Sequence, residues 1–195
     1  MSEDRRLIMD PGTGTLHFPA PHSLNPIPKN IWTGLIPLSI FGLLSFVSTL
    51  ILVVWIFYRM VYWRTHYKTF VGYNQYVVLV VNLLLADLQQ SMAFLVSFHW
   101  LRNHYIMAPT PACFAQGWLL HSGDVASGLF VLMIALHTYF TAVVGHRFGN
   151  RTYFAMIAGT WLFSYLLTAL GPIMHGDTYF VRAGAWSVPD RPQNT

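Results

Sequence analysis

The apolar positions of this chain run in long blocks, not in stripes. Between Lys29 and Arg59 lie 29 residues with no Asp, Glu, Lys or Arg. Between Lys68 and Arg102 lie 33 with one, Asp87. Between Arg102 and Arg147 lie 44 with one, Asp124, and between Arg151 and Asp177 lie 25 with none. A helix needs about 20 apolar residues to cross a bilayer core of about 30 Å, so each block holds one span. The third is too short for two spans and a turn. The pattern predicts four transmembrane helices over 33–58, 73–101, 114–144 and 153–174. Strands of a membrane barrel would alternate in segments of about ten residues, and no block does so.

Composition excludes the competing classes. Charged residues make up 9% of the 195, against about 25% in soluble domains, and 54% are hydrophobic. A soluble surface could not be covered with so few charges. Disorder, collagen-like sequence and a disulfide-rich scaffold fail as well, because the chain is apolar, aperiodic and holds one cysteine. The expected fold is all-α, a polytopic membrane helix bundle. A net charge of +4 then bears on orientation in a bilayer, and no nucleic-acid partner is expected.

Cations near short loops stay cytoplasmic. The loop after the first span carries Arg59, Arg64 and Lys68, and the loop after the third carries Arg147 and Arg151. Lys29, Arg102, Arg182 and Arg191 are spread over three longer segments on the other side. Both termini are therefore expected to face outward, in a multi-pass plasma-membrane protein. The organisation expected is a disordered extracellular tail over 1–32, a transmembrane domain over 33–174 and a polar extracellular tail over 175–195. The first residues lack a basic-then-apolar signal, so the first span would serve as its own anchor. Asn150-Arg151-Thr152 fits a glycosylation acceptor, but this topology places it in the cytosol.

An ionised carboxylate at mid-bilayer costs about 2.5–3.5 kcal/mol on insertion scales, so Asp87 and Asp124 call for an explanation. Counted along antiparallel spans, both come near the midplane. Asn82, Gln89 and Gln90 add hydrogen-bonding capacity around Asp87, and His121 precedes Asp124 by one turn. Three roles stay open: a polar switch network between helices, transport of a cation or proton, or simple ties between helices. His99 and His121 fall toward the outer side of successive spans, where bis-histidine ligation of a metal or haem would be feasible, while His137 stands alone. Ordinary polar packing is the expected role of these histidines. No nucleophile elbow, phosphate loop or paired-histidine metalloprotease pattern occurs, so neither a metal site nor an enzyme is expected. Ser122, Gly123, Ala126, Ser127 and Gly128 form a run of small residues that permits close helix approach. The third span is thus expected to be an inner helix with neighbours on several sides, more than four helices readily supply.

Several motifs resemble rhodopsin-like G-protein-coupled receptors. Asn82-Leu83-Leu84-Leu85-Ala86-Asp87-Leu88 is similar to their second-helix motif, Cys113 to the cysteine opening the third helix, and Trp161 to the signature tryptophan of the fourth. Gly171-Pro172 stands where a proline often follows. Ala115-Gln116-Gly117-Trp118 and Gly123-Asp124-Val125-Ala126-Ser127-Gly128 resemble the fungal receptors related to carbon-source sensors and cyclic-AMP-receptor-like proteins. The resemblance covers residues 30–186, the first four of seven helices. It implies a receptor that senses an extracellular small molecule or nutrient and signals to a heterotrimeric G protein. It further implies a switch network at Asn82 and Asp87, with a sodium ion beside Asp87, and a ligand site lined by Trp118, His121 and Asp124. Arg59, Arg64, Lys68, Arg147 and Arg151 would face the G protein.

The chain departs from that pattern in three places. His137-Thr138-Tyr139 stands where an acidic-Arg-aromatic triplet is expected, Cys113 has no second cysteine to pair with, and polar, proline-rich sequence follows Trp186. The last reads as truncation or an aberrant gene product. A self-contained four-helix transporter or channel subunit using Asp87 and Asp124 is the alternative.

Overall fold

The computed structural model describes residues 8–9, 16–17, 23–66, 74–106, 108–145, 148–175, 179–180, 182–183 and 186–187. Its long elements are α1 (Lys29–Val61), α3 (Gln75–Asn103), α4 (Pro111–Ala142) and α5 (Asn150–His175), with the single turn α2 (Trp63–His66) between the first two. Among the described residues these four helices are long and apolar enough to cross a membrane, and the chain is a multi-pass membrane protein. In the amino-terminal segment Ile8–Met9 pairs antiparallel with Leu16–His17, and near the other end Arg182–Ala183 pairs with Trp186–Ser187.

Each helix extends a little differently from its apolar block, for local reasons. The Asn74 side chain accepts from the Tyr76 amide at 3.1 Å, and this cap starts α3 at Gln75, two residues later than the hydropathy suggests. His104 ends α3 in the left-handed conformation, φ 57°. Thr110 caps α4 by accepting from the Cys113 amide at 3.3 Å, with Pro111 in the first turn. There the missing proline N–H would have had no partner anyway. Helical geometry thus begins before the apolar run because a cap and a proline stand there.

α3 packs between α1 and α4, and α5 packs on α4 while also reaching α3 through side-chain hydrogen bonds. The third-span helix α4 does not hold the inner place alone, since α3 also has a span on either side. Two clusters of buried apolar side chains hold the spans together. One joins Leu35, Trp100 and Cys113 to Ile27 and to Ile106 and Ala108 of the α3–α4 connection. The other joins Leu79 and Ala86 of α3, Ala126, Phe130 and Met133 of α4, and Tyr153 and Ile157 of α5.

Backbone outside the helices needs its own partners, because in lipid an unpaired amide is expensive. Leu24 and Ile106 exchange both backbone hydrogen bonds, at 2.7 and 2.9 Å, and the Ile27 amide donates to His104 O at 3.0 Å. The Ser23 hydroxyl donates to Ala108 O at 3.2 Å and accepts from Ala108 N at 3.0 Å. The segment ahead of α1 is thereby stitched to the α3–α4 connection.

Candidate functional site

The polar groups of the spans gather on α3 and are shared out among its neighbours. Helical residues advance by about 100° each, so Asn82 and Asp87, five apart, point about 140° apart. Asn82 faces α5: its side-chain oxygen accepts the indole N–H of Trp161 at 2.9 Å, while its nitrogen donates to Val78 O at 2.8 Å. Asp87 faces the other way, into a groove of about 300 Å³ between α1 and α3, lined also by Ser45, Thr49 and Gln90. The two residues assigned to one switch network therefore meet different helices.

Gln89 and Gln90 do the joining at mid-depth. Gln89 Nε2 donates to Ser122 Oγ at 2.8 Å, and Gln89 Oε1 accepts from the Tyr165 hydroxyl at 3.4 Å, so one side chain touches α4 and α5. Gln90 Nε2 donates to the Asp124 carboxylate. Gly123 makes this geometry feasible. A β-carbon there would lie 2.9 Å from both the Cβ and the backbone N of Gln90, so the helices touch where one of them has no side chain.

The three residues expected to line a ligand cavity fan outward, because a spacing of three turns each about 60° from the last. Trp118 stacks on Phe114 with ring centroids 6.0 Å apart. His121 Nδ1 lies 3.0 Å from Thr168 Oγ1 on α5. Asp124, exposed, meets Gln90 on α3. His99 contacts Asn103 on its own helix, so it and His121 have separate partners. Cys113 is buried, and its thiol donates to Phe180 O at 3.4 Å, which ties the start of α4 to the segment following α5.

Of the five cations expected to face a G protein, Arg59 lies over the Trp55 ring at 5.1 Å, and Arg64 and Arg151 are exposed. Lys68 and Arg147 lie outside the described residues.

Two glutamines that the sequence did not single out as functional prove central. Gln116, 3% exposed, accepts from the Trp100 indole at 2.9 Å and donates to Ala93 O at 3.2 Å and Ser97 Oγ at 3.4 Å. Gln75 donates to Phe148 O at 2.9 Å and accepts at its side-chain oxygen from His137 Nε2 at 3.0 Å. Its backbone carbonyl accepts from the Tyr153 hydroxyl at 2.6 Å. With both amide hydrogens of Gln75 directed at Phe148 O and Asn150 Oδ1, His137 Nε2 is the donor in its pair. Beside this clamp opens a mixed polar and apolar cavity of about 830 Å³, lined by residues including Asn74, His137, Thr138 and Thr141. A polar residue near a helix end usually faces water, so neither glutamine signalled a packing role, although Gln116 stands within one of the motifs that carry the resemblance.

The Asn82–Trp161 bond permits a quantitative test. Double-mutant cycles of such bonds in membrane proteins average about 0.6 kcal/mol, with a maximum near 1.7. A cycle of Asn82→Ala and Trp161→Phe, read by reversible unfolding in mixed micelles, is expected to give a coupling of about that size and stabilising sign. Strict additivity would mean that the bond does not hold α3 to α5.

No protein-family model and no curated protein matches this chain.

Proposed function

We propose that this chain is the four-helix amino-terminal part of a G-protein-coupled receptor of the rhodopsin-like, fungal nutrient-sensing type, in the plasma membrane with its amino terminus outside. The observation that carries the reading is the bond from Trp161 to Asn82. Two residues matched independently to signatures of the second and fourth receptor helices, 79 positions apart in sequence, meet in one hydrogen bond. The contact of Cys113 with Phe180, after α5, also supports it, since the receptor cysteine that Cys113 resembles normally pairs with the second outer loop, the one that follows the fourth helix.

In this reading an extracellular small molecule is bound at the outer end of the spans; Trp118, His121 and Asp124 meet different neighbours, so they would not all contact it. Asp124 is coupled to the α1–α3 groove through Gln90, which touches the carboxylate and lines the groove beside Asp87. The opposite end, with Arg59, Arg64, Arg151 and the Gln75 clamp, faces a heterotrimeric G protein.

The test is nucleotide exchange on a purified heterotrimeric G protein in vesicles containing the chain. Exchange is expected to rise severalfold over empty vesicles and to fall back with Asp87→Asn. Exchange indistinguishable from empty vesicles, together with a proton or cation flux that Asp87→Asn abolishes, would favour the transporter reading instead.

A further inference from the structure

We infer that the α1–α3 groove is a docking site for a transmembrane helix outside these four that carries one lysine or arginine near its midpoint. The inference does not depend on the receptor reading.

The groove lies at mid-depth. Asp87 is within three residues of the middle of α3, about 18 Å along the helix from Gln75. Among the described residues Asp87 has no hydrogen-bond or ion-pair partner. Ionisable side chains inside a membrane almost always face a protein interior or a water-filled cavity and pair with another group. Here the lining of the groove comes from α1 and α3 alone, and neither α4 nor α5 covers it.

The shape of the groove suits a helix. Its α1 wall runs from Leu38 through Phe41 and Ser45 to Thr49, steps of three and four that keep one face along about 16 Å. Ser45 and Ser91 are small, which lets a backbone approach closely. A lipid-exposed partner at this depth must satisfy its own backbone, as a helix does.

The charge of the site selects the occupant. A second copy of this chain docked through the same groove would bring carboxylate to carboxylate, and no Lys or Arg lies inside any of the four apolar blocks to offset Asp87 from another face. An all-apolar helix would bury the Asp87 charge without relief. A helix with one basic side chain supplies the missing charge and donors at the right depth. Asp124, on α4, does not line the groove and is already engaged by Gln90, so Asp87 is the anchor.

The probe is a 22-residue Leu/Ala transmembrane peptide with a single Lys at its midpoint, compared with the same peptide bearing Leu there. Energy transfer from the labelled amino terminus of the full chain to the peptide is measured in phosphatidylcholine vesicles. The Lys peptide is expected to associate at least tenfold more tightly than the Leu peptide. Asp87→Asn removes the difference and Asp87→Glu keeps it. Thr49→Trp fills the groove without touching the carboxylate and is also expected to abolish association, which guards against misfolding of Asp87→Asn. Far-ultraviolet circular dichroism checks that each variant keeps its helices. Equal binding of the two peptides, or a lysine preference that survives Asp87→Asn, overturns the proposal. So does self-association of the chain that Asp87→Asn abolishes and the peptide does not compete.

Discussion

Trp100→Ala is expected to produce the largest loss of stability of any single truncation near the Leu35 cluster, about 3 kcal/mol or more. Trp100 is 1% exposed and packs where α1, α3 and the α3–α4 connection meet. Its removal opens a void among Leu35, Ile27 and Ile106 and deprives Gln116 Oε1 of its donor. The surrounding chain includes non-helical backbone held by the Leu24–Ile106 pair, which cannot easily collapse into the space. Trp100→Phe separates the two effects. It keeps most of the apolar volume and loses the hydrogen bond, a cost of about 1 kcal/mol. The buried single cysteine provides the readout, because Cys113 belongs to the same cluster. Thermal labelling of Cys113 by a thiol-reactive dye is expected to begin at much lower temperature in Trp100→Ala, and only slightly lower in Trp100→Phe. An unchanged labelling curve for Trp100→Ala would remove this cluster from the account of stability.

Gly123→Val is expected to separate α3 from α4. The added β-carbon would meet Cβ and main-chain atoms of Gln90, not the end of a flexible side chain, so the backbones themselves must part. Overpacking of this kind costs about 1–3 kcal/mol. The two glutamine bonds at that level, Gln89 to Ser122 and Gln90 to Asp124, would weaken along with it. Gly128→Val on the same helix is the control, because nothing lies within 4 Å of a β-carbon there. Unfolding in mixed micelles, followed by the same dye, is expected to distinguish them by about 1–3 kcal/mol. Equal stability of the two variants would mean that the small-residue run is not where the helices touch.

The small-residue run illustrates how far pattern alone reaches. Ser122, Gly123, Ala126, Ser127 and Gly128 all signal close packing when read as sequence. Of the run's two glycines, Gly123 has a neighbour's backbone against it, while Gly128 looks onto open space. The difference is a rotation about the α4 axis, which composition does not encode. The same holds for Asp87 and Asp124. Their presence in apolar blocks is plain from the chain, and so is their approximate depth. That Gln90 would bond Asp124, and that Asp87 would face α1, depends on how three helices are rotated against each other. Asn82 and Trp161 matched separate signatures, yet their hydrogen bond could not be read from either.

That this is an all-α membrane protein with four spans, and where its two mid-membrane carboxylates lie, can be read from the chain alone. That information is local, because a block free of charge over some 20 residues has a helix across the bilayer as its cheapest state. Small shifts at the helix ends followed from caps, as at Asn74 and Thr110. Which side of each helix meets which neighbour was decided only in the tertiary structure. In lipid every span is apolar on nearly all sides, so no hydrophobic stripe marks the buried face. The choice falls to close packing and a few hydrogen bonds between residues far apart in the chain.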